Sequence, residues 1–208
     1  MPATSPAPLT VGFDLDMTLL DTRPGIHATY RALSAETGTH IDADLVVTRL
    51  GPPLLDEIRN WFPEAEVERA VNRYRELYRD HAFAQTVPLP GARAAVEAVR
   101  AHGGRVVVIT GKYEPNARLH LEHAGLEADT VIGDLWAETK GEALRANGAS
   151  IYVGDHLGDI VGARHAEAVA VAVATGPYGA DELRAAGADV VLADLTRFPE
   201  WLDRHLAG

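Results

Sequence analysis

Beyond residue 88 the chain alternates short apolar runs, rich in β-branched residues, with longer stretches whose apolar positions recur every three or four residues. The runs predict strands at 105–109 (RVVVI), 129–132 (DTVI), 150–154 (SIYVG), 168–173 (AVAVAV) and, with a weaker pattern, 189–193 (DVVLA). The stretches between them predict helices at 91–104, 114–125, 139–148, 159–168 and 198–208. Pro115 near the start and Gly125 at the end give the second helix the usual punctuation. Strands that are apolar without alternation are buried on both faces. Strand and helix in turn predict a parallel sheet covered by helices on both sides.

A first strand is predicted at 9–15 (LTVGFDL), and about ninety residues separate it from the next. A crossover between parallel strands needs only about thirty, so something is inserted. Residues 23–83 read as helical throughout. One helix, 25–38, ends at Gly38; another, 52–62, is bracketed by prolines; in a third, 64–83, Val67, Val71, Tyr74, Leu77 and Tyr78 form one stripe. The predicted fold is α/β: a Rossmann-like parallel-sheet core from residues 1–20 and 88–208, interrupted by an all-helical cap domain at 21–87. Two adjacent linkers, near 21–24 and 85–90, would join the parts, as a hinged lid over a cleft requires. Tyr30, Trp61, Phe62, Tyr74 and Tyr78 are expected to fill the lid core rather than stack on a substrate.

Composition narrows the function classes. The formal net charge of −11 disfavours nonspecific nucleic-acid or anionic-membrane binding. There is no cysteine, which excludes disulfides, thiolate catalysis and cysteine-held metals and fits a cytoplasmic protein. The N-terminal MPATSPAPLT lacks a signal-peptide pattern and reads as a flexible tail. The longest apolar runs are too short to span a bilayer. Oligomeric state is not legible in the sequence.

Ligands of open α/β sheets sit beyond the carboxyl ends of the strands. Four polar clusters fall there or soon after: Asp14 and Asp16; Thr110-Gly111-Lys112; Lys140; and Gly154-Asp155 with Asp159. Several carboxylates converging on one volume cannot all stay ionised unaided, so a pKa rises or a cation neutralises them. Oxygen-only ligation favours Mg²⁺. The Thr110 hydroxyl, an amide at Gly111 and the Lys140 ammonium are a set that holds phosphate oxygens. Metal and lysine around a phosphoryl group suit phosphoryl transfer, and a nearby carboxylate can serve as nucleophile.

FDLDMTLLDT (13–22), VVVITGKYEPNA (106–117), Lys140 and YVGDHLGD (152–159) resemble the four motifs of the haloacid-dehalogenase-like (HAD) phosphohydrolases. The resemblance covers nearly the whole chain and points to the phosphoglycolate-phosphatase-like branch, with a helical cap after the first strand. It implies Asp14 as a nucleophile that forms an aspartyl-phosphate, and Asp16 as general acid and then base. It implies Thr110, Gly111 and Lys140 as phosphoryl ligands. Asp14, Asp155 and the backbone carbonyl of Asp16 would hold Mg²⁺, with Asp159 supporting the metal through water. RLGPPL (49–54) is similar to a cap segment of such phosphatases, which implies that Arg49 or a neighbour reaches the substrate. An acidic residue at position 16 favours a phosphate ester over a carbon–halogen or phosphonate substrate, because an oxygen leaving group needs a proton. Met17 stands where this branch usually has Gly, and could crowd the pocket mouth; His156 stands where a small Ser or Thr is commoner. The expected partner is a small phosphorylated metabolite: phosphoglycolate, a sugar phosphate, a nucleoside monophosphate or pyrophosphate. A phosphomutase of the β-phosphoglucomutase type uses the same motifs, and a non-catalytic binding protein could use the same scaffold.

Overall fold

The computed structural model describes residues 8–208. Residues 1–7 of the expected tail lie outside the described residues, and Thr10 opens the first strand, within the stretch 9–15 predicted for it. Strand β1 (Thr10–Phe13) is followed by a two-residue strand β2 (Leu20–Asp21). Four helices come next: α1 (Arg23–Thr37), α2 (Ala43–Val47), α3 (Leu54–Arg59) and α4 (Glu64–His81). A second short strand, β3 (Val87–Pro88), leads to α5 (Ala92–Ala101), β4 (Arg105–Ile109), α6 (Glu114–Ala124) and β5 (Thr130–Ile132). Then follow α7 (Glu138–Ala146), β6 (Ile151–Gly154), α8 (Leu157–Ala166), β7 (Val169–Val173), α9 (Ala180–Ala185), β8 (Val190–Leu192) and α10 (Phe198–Ala207).

Six strands form one parallel sheet in the order β5-β4-β1-β6-β7-β8. The chain builds outward from β1 in one direction, then returns to β1 and builds in the other. The strand order therefore reverses beside β1, and a crevice opens at the carboxyl ends of β4, β1 and β6. One face of the sheet buries Val11, Phe13, Val106 and Val153 with α5 and α10, where Phe13 meets the Phe198 ring at 5.5 Å. The other face buries Val107, Ile109 and Tyr152 with Leu144 of α7 and Ile160 of α8. The central position of β1 explains Gly12: a Cβ there would stand 2.6 Å from Leu144 and 2.8 Å from Tyr152. Only a side chain without that carbon lets α7 close on the sheet.

The helices between β2 and β3 bury their own cluster, around Tyr30, Leu33, Ile58, Tyr74, Leu77 and Tyr78. All five residues of the α4 stripe are buried, as its 3.6-residue period requires. Trp61 is only partly buried, at the edge of this cluster. The two linkers pair with each other as an antiparallel ribbon, Leu20 opposite Pro88 and Asp21 opposite Val87. Neither this ribbon nor α2 nor α9 is visible as periodicity, because two to six residues do not complete a recognisable pattern. No helix among the described residues is long and apolar enough to cross a membrane.

Candidate active site

The end of β1 carries the chain into the crevice. Asp14 hydrogen-bonds through its backbone N–H to Val153 O at 2.8 Å, which locks the first carboxylate beside β6. The backbone then turns sharply at Met17, whose φ is 58°. This left-handed turn is the reason a glycine would sit here at less conformational cost. Met17 is 2% exposed and is absent from the cavity wall, so it packs inward instead of crowding the pocket mouth.

Lys140, on the first turn of α7, is 1% exposed and lies between two carboxylates. Its Nζ is 3.0 Å from Asp14 Oδ1 and 2.6 Å from Asp159 Oδ1. Burial alone would lower the lysine pKa, but Asp14 and Asp159 outweigh it and raise it. Asp159 engages both its oxygens: Oδ1 also receives Tyr152 OH at 3.2 Å, and Oδ2 receives the His156 backbone N–H at 3.0 Å. Asp155 accepts the Thr18 hydroxyl on Oδ1 at 2.8 Å. Asp14, Asp155 and Asp159 each place one oxygen within 4.8 Å of the others, and all three are buried. Burial pushes the Asp14 carboxyl up to about 7, with Lys140 opposing and Asp159 and Asp16 adding to the rise. Burial, Asp159 and Asp14 together hold the Asp155 carboxyl well above the ordinary range.

The Asp16 side chain turns away from this trio. Its Oδ1 accepts the Thr22 hydroxyl at 2.6 Å and pairs with Lys112 Nζ at 2.9 Å. Burial pushes this carboxyl up, yet Lys112 and Thr22 outweigh it and hold the group below its usual range. The set of carboxylates therefore divides: three converge with Lys140, and the fourth is paired with Lys112 on the cavity side.

The remaining expected residues lie close by. Thr110, at the end of β4, is 1% exposed, and its Oγ1 accepts the Lys112 backbone N–H at 3.3 Å. Gly111 sits under the loop between α2 and α3: a Cβ there would be 3.1 Å from Gly51 O. A cavity of about 90 Å³ lies between this loop, α1 and α4 on one side and the strand ends on the other. Asp14, Asp16, Thr110, Gly111 and Asp155 all line it, as does Arg49. Arg49 is already paired with Glu57, at 3.1 and 2.8 Å, and Trp61 Nε1 donates to the same carboxylate at 2.7 Å. Its guanidinium thus reaches the cavity wall as one half of an ion pair.

Several residues at the site were not singled out individually by the sequence reading. Lys112 appears there only as part of a three-residue cluster. Thr18 and Thr22 lie in the first motif without a role. Gly176, in the loop after β7, approaches Asp155 Oδ2 so closely that any Cβ would collide with it. His156 caps α8 through Nδ1, which accepts the Gly158 N–H at 3.0 Å. Its ring lies between Trp136 and Tyr178, each at 4.8 Å, and touches Gly51. A hydroxyl would satisfy the cap, but the imidazole also fills this gap.

Comparison with known proteins identifies the family and the fold. The family model of the haloacid dehalogenase-like hydrolases matches residues 11–173. The tyrosine-protein kinase PtkA of Mycobacterium tuberculosis is 34% identical over 128 residues, 60% of this chain. The chain spans only 44% of the length of PtkA. The phosphoglycolate phosphatase of Xylella fastidiosa is 29% identical over 185 residues, which cover 79% of this chain and 80% of that protein. A haloacid dehalogenase-like family hydrolase from Streptococcus pneumoniae has the same fold: TM-score 0.80 at 21% identity, covering 96% of this chain and 98% of that one. By its fold and by the family model spanning both halves of the site, the chain belongs to the haloacid dehalogenase-like hydrolases.

Proposed function

We propose that this hydrolase is a Mg²⁺-dependent phosphatase of small phosphorylated metabolites, in which residues 21–87 act as a cap over the core. The observation that carries the reading is the position of Asp14. It is buried at the cavity floor, 3.0 Å from the Lys140 ammonium, inside a trio of carboxylates and beside Thr110 and Gly111.

Charge balance supports the cation. Four carboxylates (Asp14, Asp16, Asp155, Asp159) face two ammonium groups (Lys112, Lys140) in one largely buried volume. Such an excess is costly unless protons or a cation reduce it. All the donors are oxygens, which suits Mg²⁺. Asp14 and Asp155 would hold the ion with the Asp16 backbone carbonyl, while Asp159, whose oxygens are both engaged, would support it through water. When bound, Mg²⁺ would draw charge from the phosphoryl oxygens and keep Asp14 ionised.

Asp14 then attacks phosphorus as the ester P–O bond breaks, and the leaving oxygen takes a proton from Asp16. Lys140, the Thr110 hydroxyl and the Gly111 amide hold the phosphoryl oxygens. In the second step a water gives a proton to Asp16 and displaces the Asp14 oxygen, which releases inorganic phosphate. The Lys112 partnership favours the ionised form of Asp16, which the second step needs. The first step needs the protonated form, so Asp16 must take up a proton before the ester bond breaks and regains one from water in the second step. The name of the Xylella fastidiosa relative favours hydrolysis of a small ester. A cytoplasmic location, argued from the cysteine-free composition, belongs to the same proposal.

Hydrolysis of p-nitrophenyl phosphate by the purified protein tests the reading. The expected result is turnover that requires Mg²⁺ and stops with chelator. No turnover there or on a panel of phosphorylated metabolites would favour a binding protein, and isomer interconversion without phosphate release would favour a mutase.

A further inference from the structure

Lys112 follows Thr110 and Gly111 in the loop after β4, and its backbone is fixed on both sides. The N–H reaches Thr110 Oγ1 at 3.3 Å, and the carbonyl accepts the Asp134 N–H at 2.9 Å. The side chain is 7% exposed, and its Nζ pairs with Asp16 Oδ1 at 2.9 Å. The same oxygen accepts the Thr22 hydroxyl at 2.6 Å. Among the described residues no protein group bonds Asp16 Oδ2. One oxygen of this cavity-lining carboxylate is therefore gripped from two sides, while the other is left for chemistry.

Lys112 is itself held from the helical insert. The Tyr78 ring of α4 has its centroid 4.7 Å from Nζ. Burial alone would lower the Lys112 pKa, but Asp16 and Tyr78 outweigh it and raise it. The Tyr78 hydroxyl in turn meets Nε2 of His120, on the core helix α6, at 2.7 Å, and both side chains are buried. A line of contacts thus runs from His120 through Tyr78 and Lys112 to Asp16. A side chain left free would sample several staggered rotamers. Proton transfer works only from the rotamer within hydrogen-bond reach of the reacting oxygen. Because two donors occupy Oδ1, an added proton resides on Oδ2.

We propose that Lys112 is a positioning residue: with Thr22 it aims Asp16 Oδ2 at the leaving oxygen, and Tyr78 holds Lys112 for that task. As the ester P–O bond breaks, its electron pair goes to the leaving oxygen, which takes the proton from Oδ2. Asp16 is left as a carboxylate paired with the Lys112 ammonium. The inference rests on the phosphatase reading above, in which Asp16 delivers that proton.

The test compares phenyl phosphate with p-nitrophenyl phosphate, using the full chain and Mg²⁺. The two esters are close in shape, but p-nitrophenolate departs as a stable anion and needs less of the proton than phenolate does. The readout is the ratio of kcat/KM for phenyl phosphate to that for p-nitrophenyl phosphate. We expect Lys112→Met to lower this ratio by about tenfold or more, a share of the roughly 10²-fold or more that general acid catalysis supplies. Tyr78→Phe should lower it by a smaller factor, and in an Asp16→Asn background Lys112→Met should leave it unchanged. A purely structural role, or a contact with the phosphoryl group, would slow both esters equally. Equal losses on the two esters in Lys112→Met would therefore overturn the positioning role and leave the phosphatase reading standing. An unchanged ratio in Tyr78→Phe would overturn the part given to Tyr78. That variant deletes a single oxygen, so it can be read even where Lys112→Met fails to fold. Absence of turnover on every ester by the wild-type protein would overturn the phosphatase reading, and the positioning role with it.

Discussion

At the scale of single residues, two lysines organise four carboxylates. Lys140 keeps Asp159 as a partner if Asp14 loses its charge, so Asp14→Asn should fold normally and lose phosphatase turnover altogether. Circular dichroism and phosphate release check the two halves of that statement. Among the described residues Lys112 has no second carboxylate partner: Lys112→Met leaves Asp16 without its cation. Removing one member of a buried pair costs roughly 3 kcal/mol, and urea unfolding should show a loss of that order. Adding Asp16→Asn to Lys112→Met should restore most of it. If the double variant is no more stable than the single one, the pair is not what holds Asp16. The carboxylates themselves were legible in the sequence, because like charges at strand ends are unusual and their order is a pattern. The division among them was not. Which way the Asp16 side chain turns depends on Lys112 and Thr22, and that direction follows from rotamers and packing rather than from residue spacing. The same limit applies to Met17, whose turn was foreseen while its inward packing was not.

At the scale of elements, the insert is tied to the core through helix faces and a short ribbon. Gly25, in the first turn of α1, lies against the backbone at Ala82, where a Cβ would stand 2.5 Å from the carbonyl oxygen and 2.7 Å from Cα. Gly25→Ala should therefore lower stability by about 1–3 kcal/mol, measured by urea unfolding. Helix propensity alone would argue the opposite sign, since Ala is the better helix former. Tyr78 of α4 and His120 of α6 meet at 2.7 Å, with the histidine fully buried. Burial, assisted by Lys112, holds the His120 pKa down to about 3 from an ordinary 6.5. Below pH 6.5 the unfolded chain takes up a proton that the folded chain refuses. The His120 contribution is therefore intact above pH 6.5 and declines as the pH falls toward 3, by about 1.4 kcal/mol per unit. His120→Asn should unfold with a shallower acid dependence than the wild type across that window. Equal slopes would refute the assignment. Long periodic helices such as α4 were readable in advance, whereas a histidine buried between two elements leaves no periodic trace.

At the scale of the whole molecule, the interrupted pattern of the chain becomes a parallel sheet whose carboxyl edge is roofed by helices. The long gap after β1 announced an insertion, because no crossover needs so many residues. The enclosure was not readable: it depends on Gly51 resting over Gly111 and against His156, contacts between residues far apart in the chain. The central claim joins these scales: the sheet edge exists to let Asp14 take up a phosphoryl group. Rapid quenching of the protein during turnover with Mg²⁺, followed by mass spectrometry of its peptides, tests that claim directly. The account predicts one added phosphoryl group on the peptide containing Asp14, chased away by further incubation and absent in Asp14→Asn. Hydrolysis that proceeds with no such adduct, at an undiminished rate in Asp14→Asn, would contradict it.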